Sequence, residues 1–426
     1  MKLVIPNSNY CLVGLLLSLG LTLYAQGPIE PQKQLGWIVM LDSKSNNWLE
    51  NKRIKPLIKS IKSISISLNV YLIESETTNE LYETLRKDSS VLFIQKDAEI
   101  SWRSQPNDPL FESQWALDSI DAALAWEYTT GGLSNDGDTI VCGVIDGSFD
   151  VQHEDLKDNI WHNHAEIPNN AIDDDMNGFV DDYTGWQLVF DNDQHNYGNL
   201  SNHGTSILGI IGAKGNNGVG ISGLNQQIKL LLLSAHTGNE ITKLSNIIEG
   251  FSYLYDMRKN YNESNGQSGA FVVSVNGSWG INQAKASDHP IWCALYDSLG
   301  SVGILSIAAT TNNDENIDIF GDMPCTCPSP FLISTGESTR SDGIDGGYGS
   351  VHLDLFAPSA SKTTRWLHNY GDFGGTSGAA PHLSAAVALL YSYPHKAWMS
   401  MCKQNPSKAA SLIKQILLGS VDKKIS

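Results

Sequence analysis

Hydrophobic residues gather in short continuous runs at 139–145, 229–234, 270–275, 303–308 and 332–335. These runs do not alternate with polar positions. Continuous apolar stretches of this length predict parallel strands covered on both faces. Residues 121–128, 205–213, 243–258, 377–391 and 408–418 read as helices between and after them. Strands interleaved with helices predict an α/β domain built on a doubly covered parallel sheet. One stretch breaks the pattern. Residues 163–202 are polar, rich in Asp and Asn, and without apolar periodicity. A loop that long inside a compact domain is usually functional.

Upstream of this domain the pattern changes. Short apolar runs at 35–41, 68–73 and 91–94 accompany a segment, 78–87, in which Leu81 and Leu85 share a helical face. They predict a small α+β unit within residues 26–106, closed by a polar, Pro-containing linker at 104–109. Residues 1–25 read as a signal peptide: Lys2, an apolar run at 11–23, and Ala25 before the cut. The expected division is therefore 1–25, 26–106 and 107–426, with export from the cell. No apolar run long enough to span a bilayer follows the first 25 residues.

Charge sharpens this division. The chain has 28 Lys+Arg against 46 Asp+Glu, a formal net charge of −18. Residues 26–106 are nearly balanced, so the acidity belongs to 107–426. Such an excess argues against nucleic acid as a partner, because phosphate binding needs clustered Lys and Arg. At 41% hydrophobic residues the chain can bury a large core, which excludes overall disorder. Of six cysteines, Cys11 lies in the signal segment. The other five permit a disulfide in an oxidising compartment and leave at least one thiol free.

Three segments carry chemistry. Val144-Ile145-Asp146-Gly147 is a buried strand ending in a carboxylate. His203-Gly204-Thr205 opens a helix with an imidazole. Gly375-Thr376-Ser377-Gly378 opens another with a hydroxyl. A serine hydroxyl needs a base to become a nucleophile, and an imidazole suits that role near neutral pH. A buried carboxylate then fixes the imidazole tautomer and stabilises its cation. Gly204 and Gly375 allow close backbone approach. Pro381 is expected near the first helical turn, where its missing N–H costs little. The chain order Asp, His, Ser is itself diagnostic.

On these segments, residues 107–422 resemble the subtilisin-like serine peptidases. The resemblance implies a secreted endopeptidase that hydrolyses protein or peptide substrates through an acyl-enzyme, with no catalytic cofactor. Asp146 would orient His203, His203 would shuttle the proton, and Ser377 would attack. It assigns Asn312, after the apolar run at 303–308, to the oxyanion hole with the Ser377 N–H. It assigns Ser278, Trp279 and Gly280 to the edge that pairs with extended substrate. Three positions depart from the family pattern: Ser206 where a second His is common, Thr311 where Gly is common, and Gly378 where Met is usual. The unit at 35–103 resembles inhibitor-like propeptides, which implies a zymogen. A catalytically silent binding protein and an esterase on the same residues are the alternatives.

The acidic stretch holds a second motif. Asp173, Asp175, Asn177, Phe179 and Asp181 follow D-x-D-x-N-G-x-x-D, the front of a calcium loop, with Gly178 at the sharp turn. Thr184 stands where an EF-hand has Glu, so a structural Ca2+ site is expected without a full EF-hand. The family resemblance implies a second calcium candidate at Gln114, Asp155 and Asn217.

Overall fold

The computed structural model describes residues 36–42, 52–97, 105–195, 202–235 and 242–422. The expected signal segment lies outside them. The described residues fall into two units, 36–97 and 105–422.

The smaller unit has strands β1 (Trp37–Leu41), β2 (Ser60–Ser65), β3 (Val70–Glu74) and β4 (Val91–Lys96), with helix α1 (Thr78–Leu85) before β4. The sheet is antiparallel in the order β2-β3-β1-β4. Trp37, Val39, Leu41 and Ile73 pack with Leu81 and Leu85 of α1, as the i, i+4 spacing predicts. The unit also leaves large apolar residues in water, notably Ile64, Ile66, Leu68 and Phe93.

The larger unit is a parallel sheet between two layers of helix. After short helical segments at Trp115–Ser119 and Ala122–Ala125, its main elements are β5 (Ile140–Asp146), β6 (Gly185–Gln187), α2 (Asn202–Gly212), β7 (Lys229–Ser234), α3 (Leu244–Glu263) and β8 (Phe271–Gly277). They continue with β9 (Ile281–Asn282), α4 (Pro290–Val302), β10 (Leu305–Ala309), β11 (Asp322–Met323), β12 (Leu332–Ser338), β13 (Ile344–Asp345) and β14 (Leu355–Pro358). The hairpin β15 (Ser361–Arg365) and β16 (Asn369–Phe373) leads into α5 (Thr376–Tyr391), α6 (Lys396–Gln404) and α7 (Pro406–Gly419).

The main strands run β6-β7-β5-β8-β10-β12 and are mutually parallel. Every residue of β5 and β8 is buried. Side chains alternate between faces along a strand. Accordingly Ile140, Cys142 and Val144 join the core under α2 and α5, whereas Val141 and Ile145 join the core under α3 and α4. Both faces are apolar, so continuous rather than alternating runs were required. Among the described residues no helix is long and apolar enough to cross a membrane.

The helix expected at 121–128 shrinks to one turn, Ala122–Ala125, behind a left-handed Asp121 with φ of 55°. A Cys293–Cys327 disulfide ties α4 to the segment after β11, and Cys142, Cys325 and Cys402 are buried free thiols.

Candidate active site

Asp146 is the last residue of β5, at the carboxyl end of a central parallel strand. Open α/β sheets place their ligand crevices at these ends. Asp146 is 4% exposed. Its Oδ1 accepts the N–H of Gly147 and lies 2.7 Å from Nδ1 of His203, at the start of α2. Its Oδ2 is buried with no hydrogen-bond partner among the described residues. The negative charge of Asp146 raises the His203 pKa above its ordinary value; burial opposes this, and the hydrogen bond adds to the rise. A proton on Nδ1 facing Asp146 puts the imidazole lone pair on Nε2. The His203 ring stands edge-on to Phe373, centroids 5.2 Å apart. A Cβ on Gly204 would come within 2.8 Å of the Ser148 carbonyl and the Phe149 ring, so only glycine lets this helix start sit so close to the Asp146 segment.

Ser377 stands in the first turn of α5. The helix is entered through Gly375 at φ 74°, a left-handed conformation that favours glycine. The Ser377 hydroxyl lies 3.3 Å from the carbonyl of Ser278, just past β8. Pro381 falls inside the helix, not in its first turn. Lacking an N–H, it leaves the Ser377 carbonyl without its helical donor. The Ser278 hydroxyl donates to that carbonyl instead, at 3.1 Å. Asn276 Nδ2 donates to Ser278 Oγ, and Ser384 Oγ donates to Asn276 Oδ1. This chain of bonds ties the end of β8 to the turn that carries Ser377.

Asn312 follows β10. Its Oδ1 accepts the Thr376 N–H at 2.9 Å. That contact fixes the amide orientation and reserves Nδ2 as a donor. Ser377, Asn312 and Thr376 line one cavity of about 140 Å³. Asp146 and His203 line a second, of about 380 Å³, with Leu244, Ile247, Trp279 and Trp292. Ser278, Trp279 and Gly280 border both cavities. The three expected substrate-edge residues thus run between the two, and Trp279 is pinned by a 2.7 Å bond from Nε1 to the Ile145 carbonyl. The departures have local reasons. Ser206 donates to the Thr364 carbonyl, the Thr311 hydroxyl accepts the Asn313 N–H, and a side chain at 378 would meet Ser359 Oγ at 2.6 Å.

The acidic loop is a network of turns. Asp173 and Asp175 converge with Glu166, with one carboxylate oxygen of each within 4.8 Å of the others. Glu166 was not expected, since it lies seven residues ahead of the motif and outside its spacing. It is 4% exposed, and its Oε2 has no hydrogen-bond partner among the described residues. Burial, with Asp182 and Asp175 nearby, raises its carboxyl above the usual range. Asn177 instead donates from Nδ2 to Asp182, and the Phe179 N–H donates to Asn177. Asp181 lies outside this carboxylate group, and its two oxygens accept the N–H groups of Asn170 and Ala171.

At the second calcium candidate, Asp155 Oδ1 accepts from Asn217 Nδ2 and Oδ2 from the Ile221 N–H, while the Gln114 amide pairs with both backbone groups of Ser222. Burial pushes the Asp155 carboxyl up to about 6.

A parallel α/β sheet with a carboxylate–imidazole pair at its carboxyl edge, beside a helix-opening Ser and an Asn amide that line one cavity, defines the class of subtilisin-like α/β folds. The profile of the Subtilase family, Peptidase_S8, matches residues 137–424, and the chain belongs to that family. It is 27% identical over 359 residues to Subtilisin-like protease 1 of Plasmodium berghei, a match covering 78% of this chain and 55% of that protein. It is 25% identical over 343 residues to an extracellular protease of Xanthomonas campestris, covering 75% and 54%. The chain thus spans about half the length of these curated relatives. Two solved structures share the fold. A protease of Pseudoalteromonas arctica superposes with a TM-score of 0.54 at 20% identity, covering 75% of this chain and 93% of that one. The epidermin leader peptide processing serine protease of Staphylococcus aureus does so at 0.50 and 16%, covering 89% and 92%.

Proposed function

We propose that the chain is a secreted serine endopeptidase, made as a zymogen. The Asp146–His203 hydrogen bond beside the cavity of Ser377 and Asn312 is the observation that carries this reading. Ser377 Oγ attacks the scissile carbonyl and gives its proton to His203. The resulting oxyanion takes hydrogen bonds from Asn312 Nδ2 and the Ser377 N–H. Collapse of the intermediate expels the amine, which leaves with the proton held by His203. Water, deprotonated by His203, then releases the acyl group. Extended substrate pairs with the backbone of Ser278, Trp279 and Gly280.

Hydrolysis of an unfolded protein substrate tests this, with a matched ester in parallel. Turnover of the ester alone would replace the peptidase reading with an esterase. Neither turnover nor serine labelling would favour the silent binding protein. Asn312→Ala is expected to lower kcat by roughly a hundred- to a thousand-fold with little change in KM, because the donor meets charge that exists only in the transition state. Steady-state kinetics on a peptide checks it.

The unit at 36–97 acts, in this reading, as an inhibitor-like propeptide released by cleavage near 103–107. Its exposed Ile64, Ile66, Leu68 and Phe93 are apolar side chains of the kind a docking unit buries.

A calcium ion is the proposed structural partner of the acidic loop. Glu166, Asp173 and Asp175 would hold it. The buried, unpartnered Glu166 Oε2 fits a hard cation that prefers oxygen ligands. Calcium at a hundredfold excess over its Kd would stabilise the folded chain by about 3 kcal/mol. Calorimetry is expected to show Tm rising with calcium in the wild type and far less in Glu166→Gln.

A further inference from the structure

The cavity beside Ser377 is walled by 278–280 on one side and 309–313 on the other. A peptide paired along 278–280, with its scissile carbonyl between Ser377 and Asn312, directs the side chain just before that bond into this space. Of the residues lining it, Asp322 is the one with a charged side chain.

We infer that Asp322 makes this cavity a receptor for a cationic side chain, so that the enzyme cleaves after Lys or Arg. The inference rests on the peptidase reading above and adds the substrate class.

The carboxylate is built into the wall. Asp322 lies in β11, which pairs antiparallel with β9, and its partner Asn282 lines the same cavity. It is 1% exposed. Its Oδ2 accepts the Thr311 N–H at 3.0 Å. Among the described residues no Lys, Arg or His forms an ion pair with it, and the neighbouring charge, Glu315, is negative. Burial pushes its carboxyl up to about 7.

A buried carboxylate without a counter-charge is costly, and an ammonium or guanidinium entering the cavity supplies what is missing. An aliphatic or aromatic side chain in the same place would bury the carboxylate further with no compensation.

The test uses the full chain and a peptide library varied at the residue before the scissile bond. Cleavage after Lys or Arg is expected to exceed cleavage after Leu or Phe by about tenfold or more. Asp322→Asn keeps an acceptor for the Thr311 N–H. It is expected to lower kcat/KM for the cationic substrates by roughly a hundredfold and to leave the neutral ones level or improved. A library cut without enrichment for Lys or Arg overturns the inference while sparing the peptidase reading. So does an enrichment that survives in Asp322→Asn, since another group would then select the cation. If that variant does not fold, the wild type decides by itself. Labelling by a lysine-like peptidyl phosphonate must then outpace labelling by a phenylalanine-like one, and the reverse order sinks the inference. Absence of all cleavage and labelling overturns the peptidase reading and this one with it.

Discussion

Ser377→Ala is expected to lower peptide hydrolysis by on the order of a million-fold, the magnitude known for the same kind of removal in subtilisin, a family member. The size follows from the role. Without the hydroxyl no acyl-enzyme forms, and neither His203 nor Asn312 has a bond to act on. The fold should survive, because the Ser377 contacts that hold α5 run through its carbonyl and the Ser278 hydroxyl, which alanine retains. The same variant is expected to keep its full length during expression, whereas the wild type loses the unit before residue 107. Kinetics on a peptide substrate and intact mass check both results. Maturation of Ser377→Ala to the wild-type mass without added protease would contradict self-cleavage.

Asp146→Asn should lower kcat by about ten-thousand-fold, because an asparagine amide favours the wrong imidazole tautomer and cannot stabilise its cation. The pH profile carries an independent signature. The Asp146 charge raises the His203 pKa, so the neutral, base-competent imidazole appears only as pH rises through that raised value. Removing the charge lowers the His203 pKa. The acid limb of the residual activity should therefore move to lower pH while the plateau falls. An acid limb that stays in place would mean that His203 is not the base or that Asp146 does not set its pKa.

Much of the larger unit was legible because its strands are buried on both faces. Continuous apolar runs located β5, β7, β8, β10 and β12 to within three residues of the expected bounds. The helices α2, α3, α5 and α7 were legible for a related reason: each packs an apolar face on that sheet. Helix α4 was missed although Pro290 at its start and a left-handed Gly303 at its end are recognisable signals. The hairpin β15–β16 was missed because its strands, SKTTR and NYGDF, carry little apolar pattern. It is held instead by Thr363 and Thr364, which donate to carbonyls of α2.

The candidate site divides in the same way. Asp146, His203 and Ser377 were readable because each sits at a sequence-marked junction of strand or helix. Glu166 and Asp322 were not. Each reaches its site through the folding of a loop or a two-residue strand, and neither spacing nor hydropathy marks such a residue. Nor did the motif spacing mark the local bonds of the acidic loop, where Asp181 accepts two N–H groups, or those of Asp155, which accepts from Asn217 and Ile221.

The central claim is that Ser377 is a nucleophile activated by His203. Labelling of the full chain, in calcium, with a serine-reactive peptidyl phosphonate tests it most directly, with the adduct located by peptide mass spectrometry. The account predicts a single adduct on Ser377, absent from Ser377→Ala and strongly slowed in His203→Ala. No adduct on the wild type, or an adduct that persists in Ser377→Ala, would contradict it.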